Sequence, residues 1–315
     1  MRKPNMTAAL MLCALVAQGS GCRSSFGWPG SVKWAPGTPG DEVVGDPAKA
    51  VLLRFLPGRA DDAGFLELVD HALRSSRGQK IAEEGASSLG ELDAIRDEIT
   101  ARGLPGSFVG IPMWESYLDT EAVSQSCAAG AWQLMPETAV ELGLQVQDCR
   151  IGDLVWTPSP GSVASPDSPY RWDGGCGITA CAVDERTDLA RSSVAALDLL
   201  EKMFQAPDLT RNPDRSALTV LAYNTGLGNV RTMVDRVFDP FAEIVACADN
   251  DCGHMGRQGA EYVPGVIAAA ALSTCAAAQI EGSPFTPEAR TGMCRSLGDA
   301  GLLPSDEPVV ADAAE

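Results

Sequence analysis

Histidine is almost absent from this chain of 315 residues, and basic residues are scarce. The two histidines are His71 and His254, and neither stands in a recognisable motif that would let it activate a serine nucleophile. Lys and Arg number 24 against 42 Asp and Glu, a formal net charge of -18. Because phosphate backbones are bound by basic surfaces, this balance argues against a nucleic-acid partner. We interpret the acidity as serving mainly solubility.

A long hydrophobic run near the N-terminus is lacking too. The apolar stretch Met6–Ala17 is shorter than the roughly 20 residues that cross a bilayer. It follows two basic residues and precedes small ones, which is the order of an export signal, so we predict a signal peptide over residues 1–21. Cys22 then stands at the position of the lipid-bearing cysteine of bacterial lipoproteins, although Gly19 replaces the usual Leu. An ordinary secreted protein, with Cys22 merely nearby, is the alternative.

Cysteine, in contrast, is abundant. Outside Cys13 and Cys22 there are eight cysteines, and an even number in an exported chain indicates disulfides. The pairs Cys247–Cys252 and Cys275–Cys294 are close in sequence and would close small loops. The cluster of Cys247, Cys252 and His254 superficially resembles a set of zinc ligands, but an oxidising compartment favours disulfides. The eight are Cys127, Cys149, Cys176, Cys181, Cys247, Cys252, Cys275 and Cys294.

Composition divides the remaining chain into a tether, a helical lead-in, a main domain and a tail. Residues 22–50 are rich in Gly and Pro and predict a tether. Residues 51–89 carry apolar side chains at helical spacing, and a further helix is predicted over 89–102. The main domain covers 90–285. The tail, 286–315, ends in an acidic stretch that lacks periodicity and predicts disorder.

The stretch Ile111–Leu144 holds the most informative motif. One carboxylate, Glu115, follows apolar Met113 and Trp114, and a loop of small residues then leads to the block Trp132–Pro136. The stretch resembles the catalytic core of the lytic transglycosylases, lysozyme-like enzymes of glycoside hydrolase family 23, and above all their membrane-bound type D branch, with the pattern LPxxESxFNPxAxSxxGAxGLWQFMPxTxxxxGL. The residues that match in register are Glu115, Ser116, Ala122, Ser124, Ala128, Gly130, Trp132, Gln133, Met135, Pro136, Thr138, Gly143 and Leu144.

Two later segments resemble further signatures of this family, in the family's order. Residues 223–226, YNTG, match the element AYNxG, and residues 261–264, EYVP, resemble the element ETxxYVPK. Gln258 departs from the second pattern, where the family has Glu. The resemblance implies a mainly α, lysozyme-like catalytic domain of the SLT or goose-lysozyme type. We also expect Pro264 in the first turn of a helix and the apolar run Val266–Cys275 in the core.

The resemblance implies a catalytic role for Glu115, as the acid and then the base of glycosidic bond cleavage. It also implies a set of substrate-binding residues: Ser124, Gln133, Met135, Tyr223, Asn224 and Tyr262. We expect Tyr223 to point at the Glu115 carboxyl and Asn224 to support its loop. Three alternatives stay open: a turn role for Ser124, and plain packing for Met135 and for Tyr262. Trp132 is expected in the core, and Ser116 is expected to cap or brace.

The implied function is that of a peptidoglycan lytic transglycosylase, which cleaves the bond between N-acetylmuramic acid and N-acetylglucosamine without water and leaves a 1,6-anhydro end. No cofactor is implied. The expected partners are glycan strands, the outer membrane through a lipid on Cys22, and cell-wall machinery. The expected location is the periplasm of a Gram-negative bacterium. A lysozyme-type hydrolase and a catalytically retired wall-binding lipoprotein are the alternatives.

Residues 145–182 form an insertion where the family has a link of a few residues. Loops of this length are functional, stapled or disordered, and the insertion's cysteines Cys149, Cys176 and Cys181 favour a stapled one. Cys127 replaces a family Gly, which suggests a bridge from the insertion to the active-site loop. The insertion is either a wall at one end of the substrate groove or a decorative surface loop.

Overall fold

A computed structural model of the chain describes residues 45–159, 171–172, 175–236, 239–249, 256–280, 283 and 291–304. The predicted signal peptide, Cys22 and nearly all of the tether lie outside these residues. The fold is mainly helical, as predicted. The helices are α1 (Pro47–Phe55), α2 (Ala63–Arg74), α3 (Ser76–Ser87), α4 (Leu89–Ala101), α5 (Gly110–Ser116), α6 (Pro136–Glu141), α7 (Leu189–Phe204), α8 (Arg215–Thr225), α9 (Leu227–Arg236), α10 (Pro240–Asp249), α11 (Gly256–Gln279) and α12 (Gly292–Asp299).

Short 3-10 turns and strands complete the described structure. The 3-10 turns are Pro57–Arg59, Gly106–Val109 and Glu185–Thr187. The strands are β1 (Val146–Gln147), β2 (Cys149–Ile151), β3 (Leu154–Trp156), β4 (Arg171–Trp172), β5 (Gly175–Cys176), β6 (Ile178–Ala180) and β7 (Val183–Asp184).

Helix α11 lies at the centre of the core. It contacts α1, α2, α3, α5, α8, α10 and α12, and the run Val266–Cys275 is buried, as predicted. Residues 259–279 are long and apolar enough to cross a membrane, but 94% of the 18-residue apolar window within them lies buried inside the protein, as in a core helix. Its apolar character on all sides is therefore explained by packing.

The predicted position of Pro264 is wrong. Helix α11 begins at Gly256, so Pro264 lies inside it and not in its first turn. A proline within a helix removes one backbone hydrogen bond and clashes with the preceding turn. Here the helix continues because it is enclosed by other helices: Val263 and Val266, on either side of the proline, are fully buried.

The helical lead-in is present and begins earlier than predicted. The Asp46 side chain caps α1 by accepting the backbone N–H of Lys49 at 3.1 Å, so residues 47–50 belong to a helix and not to the tether. In α2 the expected apolar face is buried at Phe65, Val69 and Leu73. Helix α4 ends just before Gly103, as predicted, with Gly103 at φ 65°.

Helices α5 and α11 approach each other through glycine. A Cβ on Gly110 of α5 would lie 2.1 Å from the carbonyl oxygen of Val266. A Cβ on Gly265 of α11 would lie 2.3 Å from Cζ2 of Trp114. Neither position has room for a larger residue. The close approach places the middle of α11 beside the end of α5, where Glu115 lies.

The predicted tail is shorter than expected, because α12 lies inside the stretch assigned to it. Met293 and Leu297 of α12 are buried, and the helix packs on α1 and α11. The disulfide Cys275–Cys294, predicted from sequence proximity, ties α12 to α11. Cys247 is also disulfide-bonded, while Cys252, its predicted partner, and His254 lie outside the described residues.

The described part of the insertion folds as a small antiparallel β structure stapled by disulfides, as its cysteines predict. Strand β1 pairs with β7 at its base, and β2 pairs with both β3 and β6. The disulfide Cys149–Cys181 joins the two chain segments where they leave the helical domain. The disulfide Cys127–Cys176 fastens the insertion to the loop between α5 and α6, which confirms the predicted bridge.

Candidate active site

Glu115 is the penultimate residue of α5, and the chain turns sharply after it. Tyr117 adopts a left-handed conformation and donates its N–H to the Met113 carbonyl at 3.1 Å. Leu118 is left-handed as well, and its N–H reaches the Pro112 carbonyl at 3.3 Å. The bond from Tyr117 to Met113 is that of the αL type of helix end, built here without glycine at a cost of about 1–2 kcal/mol for each left-handed residue. Backbone strain of this kind clusters at functional sites.

The Glu115 carboxyl is enclosed by protein although the residue as a whole is partly exposed. Tyr262 of α11 donates its hydroxyl to Oε1 of Glu115 at 2.5 Å. Burial raises the pKa of Glu115 from 4.5 to about 7, although the Tyr262 hydrogen bond and the positive charge of Arg77 oppose that rise. Since its pKa lies near neutrality, the group can give up a proton and take one back in the same reaction.

The hydroxyl that reaches Glu115 belongs to Tyr262 and not to Tyr223, in contrast to the prediction. Tyr223 was expected to point at the Glu115 carboxyl, but its hydroxyl donates to the Trp132 carbonyl at 2.8 Å. Tyr262 was assigned to substrate, yet it is only 3% exposed and its hydroxyl is bonded to Glu115. Burial, and after it the nearby Glu115 charge, raises the pKa of both phenols well above 10, so both stay neutral donors.

The loop between α5 and α6 is held against α5 by a side-chain hydrogen bond. The Ser116 hydroxyl donates to the Ala131 carbonyl at 3.0 Å, which confirms the bracing role. Trp132 is fully buried and donates its Nε1–H to the Ser193 hydroxyl at 2.8 Å, which confirms its place in the core. The loop carbonyls near Glu115 are therefore fixed before any ligand arrives.

Arg186 organises the same loop, and the sequence analysis gave it no role. It is 2% exposed and donates to the carbonyls of Cys127, at 2.7 Å, and Leu134, at 3.2 Å. Asp184 neutralises the guanidinium at 2.6 Å. A buried arginine that is paired and also bonded to carbonyls is an anchor for the surrounding backbone. The charged run of residues 183–188, VDERTD, was the only signal that pointed to it.

The remaining predicted substrate residues surround this loop. The Ser124 hydroxyl accepts the N–H groups of Ser126 and Ala128, at 3.2 and 3.0 Å, so it does serve in a turn. The side-chain amide of Gln133 donates to the Gly130 carbonyl at 2.9 Å. Met135 packs against the insertion, and Asn224 is exposed near the end of α8. Contact of these residues with a substrate stays a prediction.

Two other carboxylates lie just beyond Glu115 in the sequence. Asp119 is exposed, and its carboxylate accepts the backbone N–H of Glu121 at 2.9 Å, which is a turn contact. Glu121 is exposed. Within the described residues, no group of three or more His, Cys, Asp and Glu side chains is placed to hold a metal ion. Neither Asp119 nor Glu121 is thus enclosed in the way that the Glu115 carboxyl is.

The fold and site define a helical, lysozyme-like domain built around one enclosed glutamate. The sequence profile of the Transglycosylase SLT domain matches residues 95–157, which contain Glu115 and its loop. This match confirms the resemblance to lytic transglycosylases that the motifs indicated.

Among particular proteins, the chain is similar to the membrane-bound lytic murein transglycosylase D of Escherichia coli K12. It is 28% identical over 139 residues, which are 43% of this chain and 22% of that protein. The protein of the same name from Escherichia coli O6:H1 matches to the same extent. The chain thus aligns with about a fifth of the length of these curated relatives.

Proposed function

We propose that this protein is a peptidoglycan lytic transglycosylase. The observation that carries the proposal is the enclosed Glu115 carboxyl, with its pKa raised to about 7, inside the segment that matches the SLT domain. The relatives are named as murein transglycosylases, and murein is peptidoglycan. An acid that is protonated near neutral pH is the group that cleavage of a glycosidic bond requires.

In the proposed reaction Glu115 serves twice. It first protonates the oxygen between N-acetylmuramic acid and N-acetylglucosamine, and the bond from C1 to that oxygen breaks. The carbonyl oxygen of the substrate's 2-acetamido group stabilises the cationic C1. The Glu115 carboxylate then removes the proton of the C6 hydroxyl, and O6 bonds to C1 to give the 1,6-anhydro sugar. Glu115 ends protonated, as it began, and no water is consumed.

The neighbouring residues support these two proton transfers. Tyr262 holds the Glu115 carboxylate after the proton has left, since its hydroxyl donates to Oε1 at 2.5 Å. Tyr223 fixes the Trp132 carbonyl on the loop that faces the acid. The residues that we propose to contact the glycan are Ser124, Gln133, Met135, Tyr223 and Asn224.

A lysozyme-type hydrolase is the competing reaction, and it requires a second carboxylate to activate water or to act as nucleophile. Asp119, the nearest candidate in sequence, is engaged in a turn. A retired, non-catalytic domain is the other alternative, but an enclosed carboxyl with a pKa near 7 is costly to keep ionised and favours a catalytic role.

The decisive variant is Glu115→Gln, which keeps the shape of the side chain and removes its proton. We expect turnover of purified sacculi to fall by at least about 100-fold, because general acid–base catalysis contributes about that much or more. The variant should unfold at the same temperature as the wild type or higher. Glu121→Gln is the matched control, with the same change in an exposed residue of the adjacent loop, and it should retain wild-type turnover. Residual activity of Glu115→Gln within tenfold of the wild type would rule out the single-acid mechanism.

We also propose that the insertion walls one end of the glycan-binding groove. Ile151 of β2 is buried against Cys127 of the active-site loop, and Met135, Trp156 and Ile178 pack on the pair. A proposed sugar-contacting residue, Met135, is thus held by the insertion. A groove closed at this end would bind chain ends and release short products.

Removal of the insertion tests this proposal. The Cα atoms of Cys149 and Cys181 are 3.8 Å apart, so Arg150–Ala180 can be replaced by a short Gly-Ser link, with Cys127→Ser to remove the orphaned thiol. We expect a shift from mostly disaccharide products toward longer anhydro-ended fragments. The control keeps the insertion and carries Cys127→Ser with Cys176→Ser. It shows whether a change in the products comes from loss of the disulfide or from loss of the insertion itself. If the lengths of the products are unchanged at comparable activity, the insertion is a surface loop that does not shape the groove.

We further propose that the protein works in the cell envelope, anchored to the outer membrane by a lipid on Cys22. Relatives named as membrane-bound support the envelope location. The lipid on Cys22 is the anchor that we propose, so Cys22→Ala should move the protein from the membrane to the soluble fraction of disrupted cells. Unchanged membrane partition would contradict the proposed anchor. We propose proteins of the cell-wall machinery as further partners at this location.

A further inference from the structure

Arg77 of α3 reaches the end of the catalytic helix from outside the segment that matches the SLT domain. Its Nη2 donates to the carbonyl of Trp114 and lies 3.4 Å from the carbonyl of Glu115. The guanidinium also lies over the Trp114 ring, 4.5 Å from its centroid, and 5.5 Å from that of Tyr117. One side chain of the lead-in thus contacts the backbone of Glu115 and the rings of Trp114 and Tyr117.

The carbonyls that Arg77 binds belong to the last turn of α5, which has no further turn to satisfy them. A cation at this end also faces the negative end of the helix dipole. The Nε of Arg77 is buried and has no hydrogen-bond partner in the described part of the chain. The position of the guanidinium is therefore set by the α5 carbonyls and the Trp114 face, and not by an ion pair.

The charge of Arg77 acts on a site whose other groups are neutral. Helix α11 presents Tyr262 and α8 presents Tyr223, and burial keeps both phenols un-ionised. The 3-10 turn before α5, Gly106–Val109, has no ionisable side chain. Lys80, one turn along α3, is exposed and lies over the outer Tyr117 ring at 4.2 Å. Arg77 is thus the cation that lowers the pKa of Glu115 against the effect of burial.

We infer that Arg77 is a positioning residue for Glu115, so that the helical lead-in is part of the catalytic unit and not only a spacer. This inference rests on the proposed function for its kinetic consequence. Its structural consequence, the orientation and ionisation of Glu115, does not depend on which bond the protein cleaves. The two can therefore be tested apart.

The experiment compares Arg77→Met, Arg77→Lys and the control Lys80→Met in the full mature chain. Glu115 is titrated directly, by the carboxyl infrared band that is present in each protein and missing from its Glu115→Gln counterpart. Removal of the positive charge disfavours the carboxylate, so Arg77→Met should raise the pKa of Glu115. Arg77→Lys, which keeps a charge, should leave it close to the wild-type value. Lys80→Met should behave as the wild type.

Turnover of sacculi across pH supplies the second readout. In the wild type the rate should fall at high pH as Glu115 loses its proton. In Arg77→Met this fall should move to higher pH. The maximal rate of Arg77→Met should also drop by about tenfold or more, since misplaced catalytic groups cost up to about 100-fold. Arg77→Lys should lower the maximal rate without moving the fall, because it lacks the planar group that stacks on Trp114.

An unshifted Glu115 titration in a folded Arg77→Met protein would overturn the inference and leave Arg77 a purely structural residue. If Arg77→Met does not fold, Arg77→Lys carries the test, and a wild-type rate in that variant would overturn it. If no variant, nor the wild type, turns over sacculi, the proposed function fails, while the titration still decides whether Arg77 acts on Glu115.

Discussion

The hydrogen bond from Tyr262 to Glu115 is the contact on which the site depends. A carboxyl enclosed by protein favours its neutral form, and burial raises its pKa to about 7. The phenol donates to Oε1 at 2.5 Å and so stabilises the carboxylate that forms once the proton has left. Burial raises the pKa of Glu115 and the hydrogen bond lowers it, and the result is a pKa of about 7. A single residue can then act first as an acid and afterwards as a base.

The rest of the fold holds the Tyr262 hydroxyl and the Glu115 carboxyl in position relative to each other. Gly110 and Gly265 allow α5 and α11 to approach, which brings Tyr262 to the end of α5. Arg186 binds two carbonyls of the loop between α5 and α6, and the disulfide Cys127–Cys176 ties that loop to the insertion. Glu115 thus lies beside a core helix and a loop that is fixed at several points, an arrangement that would preorganise the site for the proposed reaction.

Local sequence patterns predicted most of the fold, and the family resemblance singled out Glu115 as the candidate acid. The buried run in α11, the helix end at Gly103, the brace at Ser116 and the stapled insertion all follow from periodicity, stop signals, motif and cysteine content. The partner of Glu115 did not follow, because Tyr262 comes from a helix far along the chain and only packing decides which tyrosine reaches the acid. The contact of Arg77 with the end of α5 was missed for the same reason. The start of α11 was misplaced because Pro264 is a local signal for a first helical turn, and the packing of the surrounding helices overrides it.

The most direct test of the central claim is the fate of water in the reaction. Purified sacculi are digested in water labelled with heavy oxygen, and the new glycan ends are weighed by mass spectrometry. Our account predicts 1,6-anhydro ends that contain no labelled oxygen and are lighter by one water than hydrolytic ends. Ends that each carry one labelled oxygen, formed at a rate that depends on Glu115, would show a lysozyme-type hydrolase and contradict the account.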